Sequence, residues 1–174
     1  MTSLYGGQRI PKFQTRMEVV GSLDELNANI GLSLTEIDDQ ILRGQLLSVQ
    51  HTLFNIGAET AEGGTKVKRM IPDEVRVTKG TDKELEGWID TYDRELEQLQ
   101  NFILPGGSPA GARLHVTRAV CRRAERALSR LADEESVNPN SLTYINRLSD
   151  FLFVAARMVN HRADAIETAW DAEH

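Results

Sequence analysis

A chain of 174 residues suits one domain with a core of its own, since domains commonly run ~100–200 residues. With 40% hydrophobic and 26% charged residues the composition is that of a soluble globular protein, no apolar run approaches the ~20 residues of a membrane span, and a formal charge of −6 argues against nucleic acid as the main partner. Cys121 is the single cysteine, which excludes an intramolecular disulfide and fits a reducing compartment, so a cytoplasmic location is expected. No charged-then-apolar leader opens the sequence.

Residues 1–16 are rich in Gly, basic and polar residues and predict loop or short extended structure. Ser22 to Glu25 has capping-box spacing, and Val19, Val20, Leu23, Leu26, Ile30 and Leu34 recur at helical intervals, so a helix is expected over about 17–37. A second is expected over about 39–61, with Ile41, Leu42, Leu46, Leu47, Val49, Leu53, Phe54 and Ile56 on its apolar face. The mixture of Lys, Arg, Pro and Gly over 65–80 predicts a connection. Thr81 to Glu84 is another capping box, opening a helix to about 100 with Leu85, Trp88, Ile89, Tyr92, Leu96 and Leu99 inside. Asn101-Phe-Ile-Leu-Pro-Gly-Gly107 is a short apolar segment closed by strong breakers. Ser108 and Pro109 then read as N-cap and first residue of a helix to about 135. Asn138-Pro139-Asn140 breaks the chain, and Ser141 is expected to cap a last helix to about 170. Five helices without an alternating strand predict an all-α, up-and-down five-helix bundle.

The fourth helix carries Arg118-Ala-Val-Cys-Arg122-Arg123-Ala-Glu125-Arg126. At about 100° per residue, Leu114, Thr117, Val120, Cys121, Ala124, Leu128 and Leu131 form one apolar arc, and Cys121 falls on it as a core residue. Arg118, Arg122 and Arg126 stack beside that arc, with Glu125 projecting near Arg118 and Arg122. One reading is a solvated basic face with helix ion pairs. The other is a polyphosphate site, because like charges four residues apart repel unless an anion lies between them and because guanidinium forks suit phosphate.

On the last helix Tyr144, Leu148, Phe151, Leu152, Ala155 and Val159 share one face, opposite Asn146, Ser149, Asp150, Phe153, Arg157 and Asn160. Phe153 on that polar face needs a partner, either another subunit or a flat organic ligand. Asn146 lies within ~20° of it on the helical wheel. Phe102 in turn reads either as a plug under a loop or as a ligand contact. No Glu-x-x-His or His-x-x-x-His pairing surrounds His51, His115, His161 or His174, and Gly6-Gly7 is no phosphate-loop fingerprint.

Several runs together resemble the successive signatures of PduO-type ATP:cob(I)alamin adenosyltransferases. They are Thr2-Ser3-Leu4, Arg9-Ile10-Pro11-Lys12, Glu18 to Asn27, Phe102 to Gly107, Arg118 to Arg126 and Tyr144 to Phe153, in family order and over almost the whole chain. The resemblance implies one adenosyltransferase domain over 1–174, with an N-terminal nucleotide loop over 1–16 and the helical bundle over 17–170. It implies assembly as a homotrimer with active sites between subunits. Thr2, Ser3, Lys12, Arg122, Arg123, Glu125, Arg126 and Asn146 would bind ATP. Asp24 and Arg118 would form a salt bridge between subunits, and Phe102 and Phe153 would line the corrin pocket. The family's loop opens with Thr-Gly-Asp-x-Gly just before the position of Thr2. This sequence begins at Met1 without that run, so a trimmed start or a reduced nucleotide loop is expected.

The implied reaction is attack of cobalt(I) on the 5′ carbon of ATP, with triphosphate leaving in one piece. Its substrates would be ATP and reduced cobalamin, with Mg²⁺ on the phosphates. A cob(II)alamin reductase and a B12-dependent acceptor enzyme would be its partners. The alternative is a non-catalytic helical trimer that binds or delivers cobalamin.

Overall fold

The computed structural model describes residues 2–3, 9–10, 14–62 and 72–172. Two two-residue strands, β1 (Thr2–Ser3) and β2 (Arg9–Ile10), pair antiparallel with Thr2 opposite Ile10. Five helices follow: α1 (Thr15–Leu34), α2 (Gln40–Glu62), α3 (Asp82–Asp93), α4 (Pro109–Glu134) and α5 (Pro139–Arg162), with one 3-10 turn at Asp73–Val75 before α3.

In the bundle α4 lies between α1 and α5, while α2 packs against α1 and α3 against α5. The apolar positions that recur every three or four residues are those that disappear from solvent. Val19, Leu23, Leu26 and Ile30 of α1 meet Leu114, Cys121, Ala124, Leu128 and Leu131 of α4 in one core. From α5 that core takes Ile145, Leu148, Phe151 and Leu152, and Phe151 receives the rings of Trp88 and Tyr92 from α3 at centroid distances of 5.2 and 6.4 Å. Among the described residues no helix is long and apolar enough to cross a membrane.

Helix ends depart from expectation where tertiary contacts outweigh local signals. The Ser22 to Glu25 capping box lies inside α1, which starts two turns earlier behind Gln14 because Val19 is buried in the core. Thr81 precedes α3 but makes no cap bond; its hydroxyl is turned back to Thr78. That helix stops at Asp93, since past Tyr92 the chain leaves the core and Leu99 is exposed. Ser108 does cap α4, accepting from Gly111 N–H at 3.1 Å, and Pro109 occupies the first turn. The cap of α5 is Asn138, accepting from Asn140 N–H at 3.0 Å, and Ser141 is buried one turn inside. Asp164, at φ 51°, ends α5 well before residue 170. The chain then doubles back, and Ala169 forms an antiparallel bridge with Ile103.

On α2, Ile41, Leu47 and Phe54 belong to no core: each is exposed. Phe54 instead borders an apolar groove of about 360 Å³ between α1 and α2, which Val20, Asp24 and Ala58 also line.

Candidate active site

A cavity of about 870 Å³ opens where α5 meets the non-helical segments 99–102 and 169–172. That is within the ~300–1,000 Å³ usual for a small-molecule site. Phe102, Phe153 and Trp170 supply its aromatic wall. Phe102 is 79% exposed and meets Trp170 edge-on at 6.3 Å between centroids. It is therefore no plug beneath a loop.

Phe153 is half-buried and joins the cavity to α4. Its ring packs against His115 at 6.0 Å, and the Arg118 guanidinium lies 5.6 Å from its centroid. This cation–π arrangement orients Arg118 but neutralises nothing. Arg118 has no carboxylate partner among the described residues, and its Nε is buried without a hydrogen bond. Burial, and then the neighbouring Arg122, lower its pKa from the usual guanidinium value. His115 is buried with both ring nitrogens unpartnered; burial, and then Arg118, hold its pKa below the ordinary imidazole value, against an opposing pull from Glu167.

The arginine stripe continues from there toward the C-terminal end of α4. Arg122 and Arg126 are exposed and have no ion-pair partner among the described residues. Arg123 points elsewhere and pairs with Glu25 of α1. Glu125 accepts from Asn146 Nδ2 of α5 at 2.8 Å, not from an arginine, so the α4 and α5 members of the expected nucleotide set do meet. Asn146 and Phe153 are two turns apart along α5 and face different surroundings, Asn146 the arginine stripe and Phe153 the aromatic cavity.

Asp24 is exposed on α1 beside the α1/α2 groove and does not meet Arg118 within the chain. Thr2 and Ser3 form the first strand of the N-terminal pair, and Lys12 lies outside the described residues. Cys121 is fully buried, its thiol pushed up by burial and turned to the Ile145 carbonyl, which suits core and not chemistry.

Sequence reasoning did not find Trp170, because α5 was expected to run through it. It also placed Arg157 and Asn160 on an open polar face, whereas both are buried and hydrogen-bonded to the loops around the cavity. Asp164, of a residue type that tolerates the left-handed conformation, was the available signal of an early stop.

The cobalamin adenosyltransferase family model matches residues 1–159. The chain is similar to a cobalamin adenosyltransferase of Cupriavidus metallidurans, 40% identical over 99% of this chain and 89% of that one. It is similar to a corrinoid adenosyltransferase of Bacillus subtilis, 40% identical over 93% of this chain and 82% of that one. Among solved structures it resembles a variant PduO-type ATP:corrinoid adenosyltransferase from Lactobacillus reuteri complexed with cobalamin and ATP. The TM-score is 0.87 and the identity 32%, covering 97% of this chain and 93% of that one. On this evidence the chain belongs to the cobalamin adenosyltransferase family, of the PduO type.

Proposed function

We propose that this protein transfers the 5′-deoxyadenosyl group of ATP to cob(I)alamin, giving adenosylcobalamin and triphosphate. The observation that carries the reading is the adjacency of two sites on α4 and α5. An aromatic cavity of corrin-admitting size is backed by Arg118, and the same stripe of α4 continues into Arg122 and Arg126, which have no ion-pair partner among the described residues.

In the reaction the cobalt(I) electron pair forms the bond to C5′, and the C5′–O bond breaks with its pair leaving on triphosphate. No proton moves in that step, so no general base is assigned. The protein's work is to hold cobalt, carbon and leaving oxygen in line and to stabilise charge on the leaving group. Arg122 and Arg126 face the triphosphate in this reading. Arg123 joins them by exchanging its Glu25 partner, and the Glu125–Asn146 pair meets the nucleoside end. Thr2, Ser3 and Lys12 bind ATP from the neighbouring subunit in this reading. Phe102 occupies the lower axial position of cobalt with a ring that offers no donor atom, and Phe153 lies against the corrin.

Mg²⁺ fits as a companion of the phosphates. It keeps several waters and needs one or two carboxylates at most. Among the described residues there is no cluster of three or more His, Cys, Asp and Glu to form a protein cage.

The active unit in this reading is a homotrimer. Arg118 is a half-buried cation without a carboxylate partner among the described residues, and Asp24 is an exposed carboxylate beside an uncovered apolar groove. Pairing Asp24 with the partner subunit's Arg118 supplies both needs and brings two chains to each site. The enzyme would act in the cytoplasm, fed by a cob(II)alamin reductase and emptied by a B12-dependent acceptor enzyme.

The test is anaerobic turnover with ATP and chemically reduced cobalamin, following the cob(I)alamin absorbance and released triphosphate. Stoichiometric adenosylcobalamin and triphosphate are expected. Tight cobalamin binding without turnover at saturating ATP would sink the reading in favour of a carrier.

A further inference from the structure

The walls of the aromatic cavity come from two non-helical segments, one following α3 and one following α5. Phe102 itself is largely exposed, so core packing does not place it. Its backbone does: Trp170 N–H donates to the Phe102 carbonyl at 2.7 Å, and Leu104 N–H to the Thr168 carbonyl at 2.8 Å. This short ladder needs support from behind, and two side chains one turn apart on α5 provide it.

Asn160 is 1% exposed. Its Oδ1 accepts from both the N–H and the hydroxyl of Ser108, each at 2.9 Å, and its Nδ2 donates to the Gly106 carbonyl at 3.0 Å. Its own carbonyl accepts from Ala165 N–H at 2.9 Å, where the chain turns back. A Cβ at Gly107 would stand 2.4 Å from this amide, and one at Gly111 2.0 Å. Gly107 also has φ +97°, a conformation that favours glycine. The glycines thus make room for the asparagine.

Arg157, 8% exposed, donates from Nε to Glu167 Oε2 at 3.1 Å and from Nη2 to the Glu97 carbonyl at 2.9 Å. One guanidinium therefore ties both wall segments to α5, and its planar fork is what allows two directions at once.

We propose that Arg157 and Asn160 are positioning residues for the corrin cavity, fixing the Phe102 and Trp170 segments so that Phe102 is in place before cobalamin binds. The proposal rests on the reading of this cavity as the corrin site. A purely structural role predicts lost stability alone. A positioning role predicts that lower-ligand displacement fails in protein that is still folded.

The experiment uses Asn160→Asp, Arg157→Lys and Glu167→Gln, with Phe102→Ala and the remote core variant Leu131→Ala as references. Asn160→Asp keeps an acceptor for Ser108 but replaces the donor to Gly106 with a carboxylate oxygen. Glu167→Gln keeps shape and removes the ion pair, so it remains informative if a buried variant fails to fold. Each folded protein is loaded with ATP and cob(II)alamin, and the four-coordinate cobalt(II) fraction is read by paramagnetic resonance, together with ATP affinity. The ratio of four-coordinate to five-coordinate cobalt(II) should fall about tenfold in the positioning variants, the equivalent of about 1.4 kcal/mol. ATP affinity should hold, and Leu131→Ala should keep the wild-type spectrum. Wild-type spectra in the folded positioning variants overturn the proposal, as does the same loss in Leu131→Ala. If Phe102→Ala also keeps the wild-type spectrum, it is the corrin reading that fails.

Discussion

Phe102 and Trp170 are joined twice, once through backbone and once through side chains: the Trp170 N–H donates to the Phe102 carbonyl at 2.7 Å, and the two rings meet edge-on at 6.3 Å. The backbone bond survives substitution of either side chain, but the ring contact does not. Trp170→Ala should therefore leave the segment in place and remove one wall of the cavity. Edge-to-face pairs contribute ~0.5–1.5 kcal/mol, so the KM for cobalamin should rise by about two- to tenfold with ATP affinity unchanged. Steady-state kinetics with each substrate varied in turn checks this, and an effect on ATP instead would move Trp170 out of the corrin wall.

Arg122 is exposed, without an ion-pair partner among the described residues, and close enough to Arg118 to lower its pKa. A helix surface gains nothing from such a pair unless an anion arrives. Arg122→Ala should weaken ATP binding and turnover by roughly ten- to a hundredfold, the loss of one hydrogen bond to a charged group at ~1.5–3 kcal/mol. Helical content should be unchanged and thermal stability equal or slightly higher. Calorimetric ATP titration reads the first effect and circular dichroism the second. Undiminished ATP affinity would return the stripe to a solvated basic face.

Asp24 and Arg118 do not meet within one chain, yet Arg118 is half-buried with an orphaned Nε. If the partner subunit supplies the anion, Asp24→Asn and Arg118→Ala should each weaken the trimer and lower turnover. A double-mutant cycle should then give a coupling of ~1–3 kcal/mol, as contacting charged residues do. Sedimentation velocity across protein concentration supplies the assembly energies. Additive losses, or a wild-type protein that is monomeric at micromolar concentration, would remove the bridge.

His115 gives a pH dependence of known sign. Its pKa is lowered in the fold by burial first and by Arg118 second. Above ~6.5, the unfolded value, it is neutral in both states and contributes no slope. As pH falls below that, the unfolded chain takes up a proton that the folded chain refuses, so stability falls, by at most about 1.4 kcal/mol per pH unit, until the lowered folded pKa is reached. His115→Phe removes this term together with two unpartnered buried nitrogens. The variant should match or exceed wild-type stability near pH 7.5, and its advantage should grow at pH 5.5. Urea midpoints at the two pH values decide, and an equal gap at both would mean that His115 is not the titrating group.

Much of this architecture was legible in the residues. Val19, Leu23 and Leu26 repeat at core spacing and are buried; Ser108-Pro109 reads as a helix start and is one. The family-signature residues converge only in part. Glu125 and Asn146 touch, and Phe102 and Phe153 share a cavity, but Arg123 is engaged by Glu25. What stayed hidden depends on contacts between segments far apart in sequence. Nothing local marks Trp170 as a partner of Phe102, or marks Asn160 as fitting against Gly107 and Gly111. Likewise Ile41 and Phe54 have the spacing of core residues, and only the packing of α1 on one side of α2 leaves them exposed.

The last prediction concerns Phe102, which the sequence reads either as a plug under a loop or as a ligand contact. As a hydrophobic plug its ring would be buried, and Phe102→Ala would cost ~3–5 kcal/mol of stability. The ring is instead 79% exposed at the mouth of the cavity, and Trp170 is the aromatic side chain it touches among the described residues. Truncating it should therefore cost no more stability than the ~0.5–1.5 kcal/mol of its ring contact with Trp170, well short of a buried plug. With Phe153 and Trp170 the ring forms an exposed apolar patch around a cavity, the kind of surface that marks a ligand-binding groove. In the adenosyltransferase reading the ligand is the lower face of cobalamin, where the ring excludes the axial donor and makes cobalt(II) easier to reduce. Phe102→Ala should stay folded and bind ATP as wild type does. Its bound cob(II)alamin should lose the four-coordinate signal in paramagnetic resonance. Turnover should fall steeply when cobalt(II) must be reduced on the enzyme, and much less when cobalt(I) is supplied already reduced. Equal losses under both regimes would mean that Phe102 positions the corrin without displacing its ligand, and an unchanged cobalt(II) spectrum would remove the residue from the chemistry altogether.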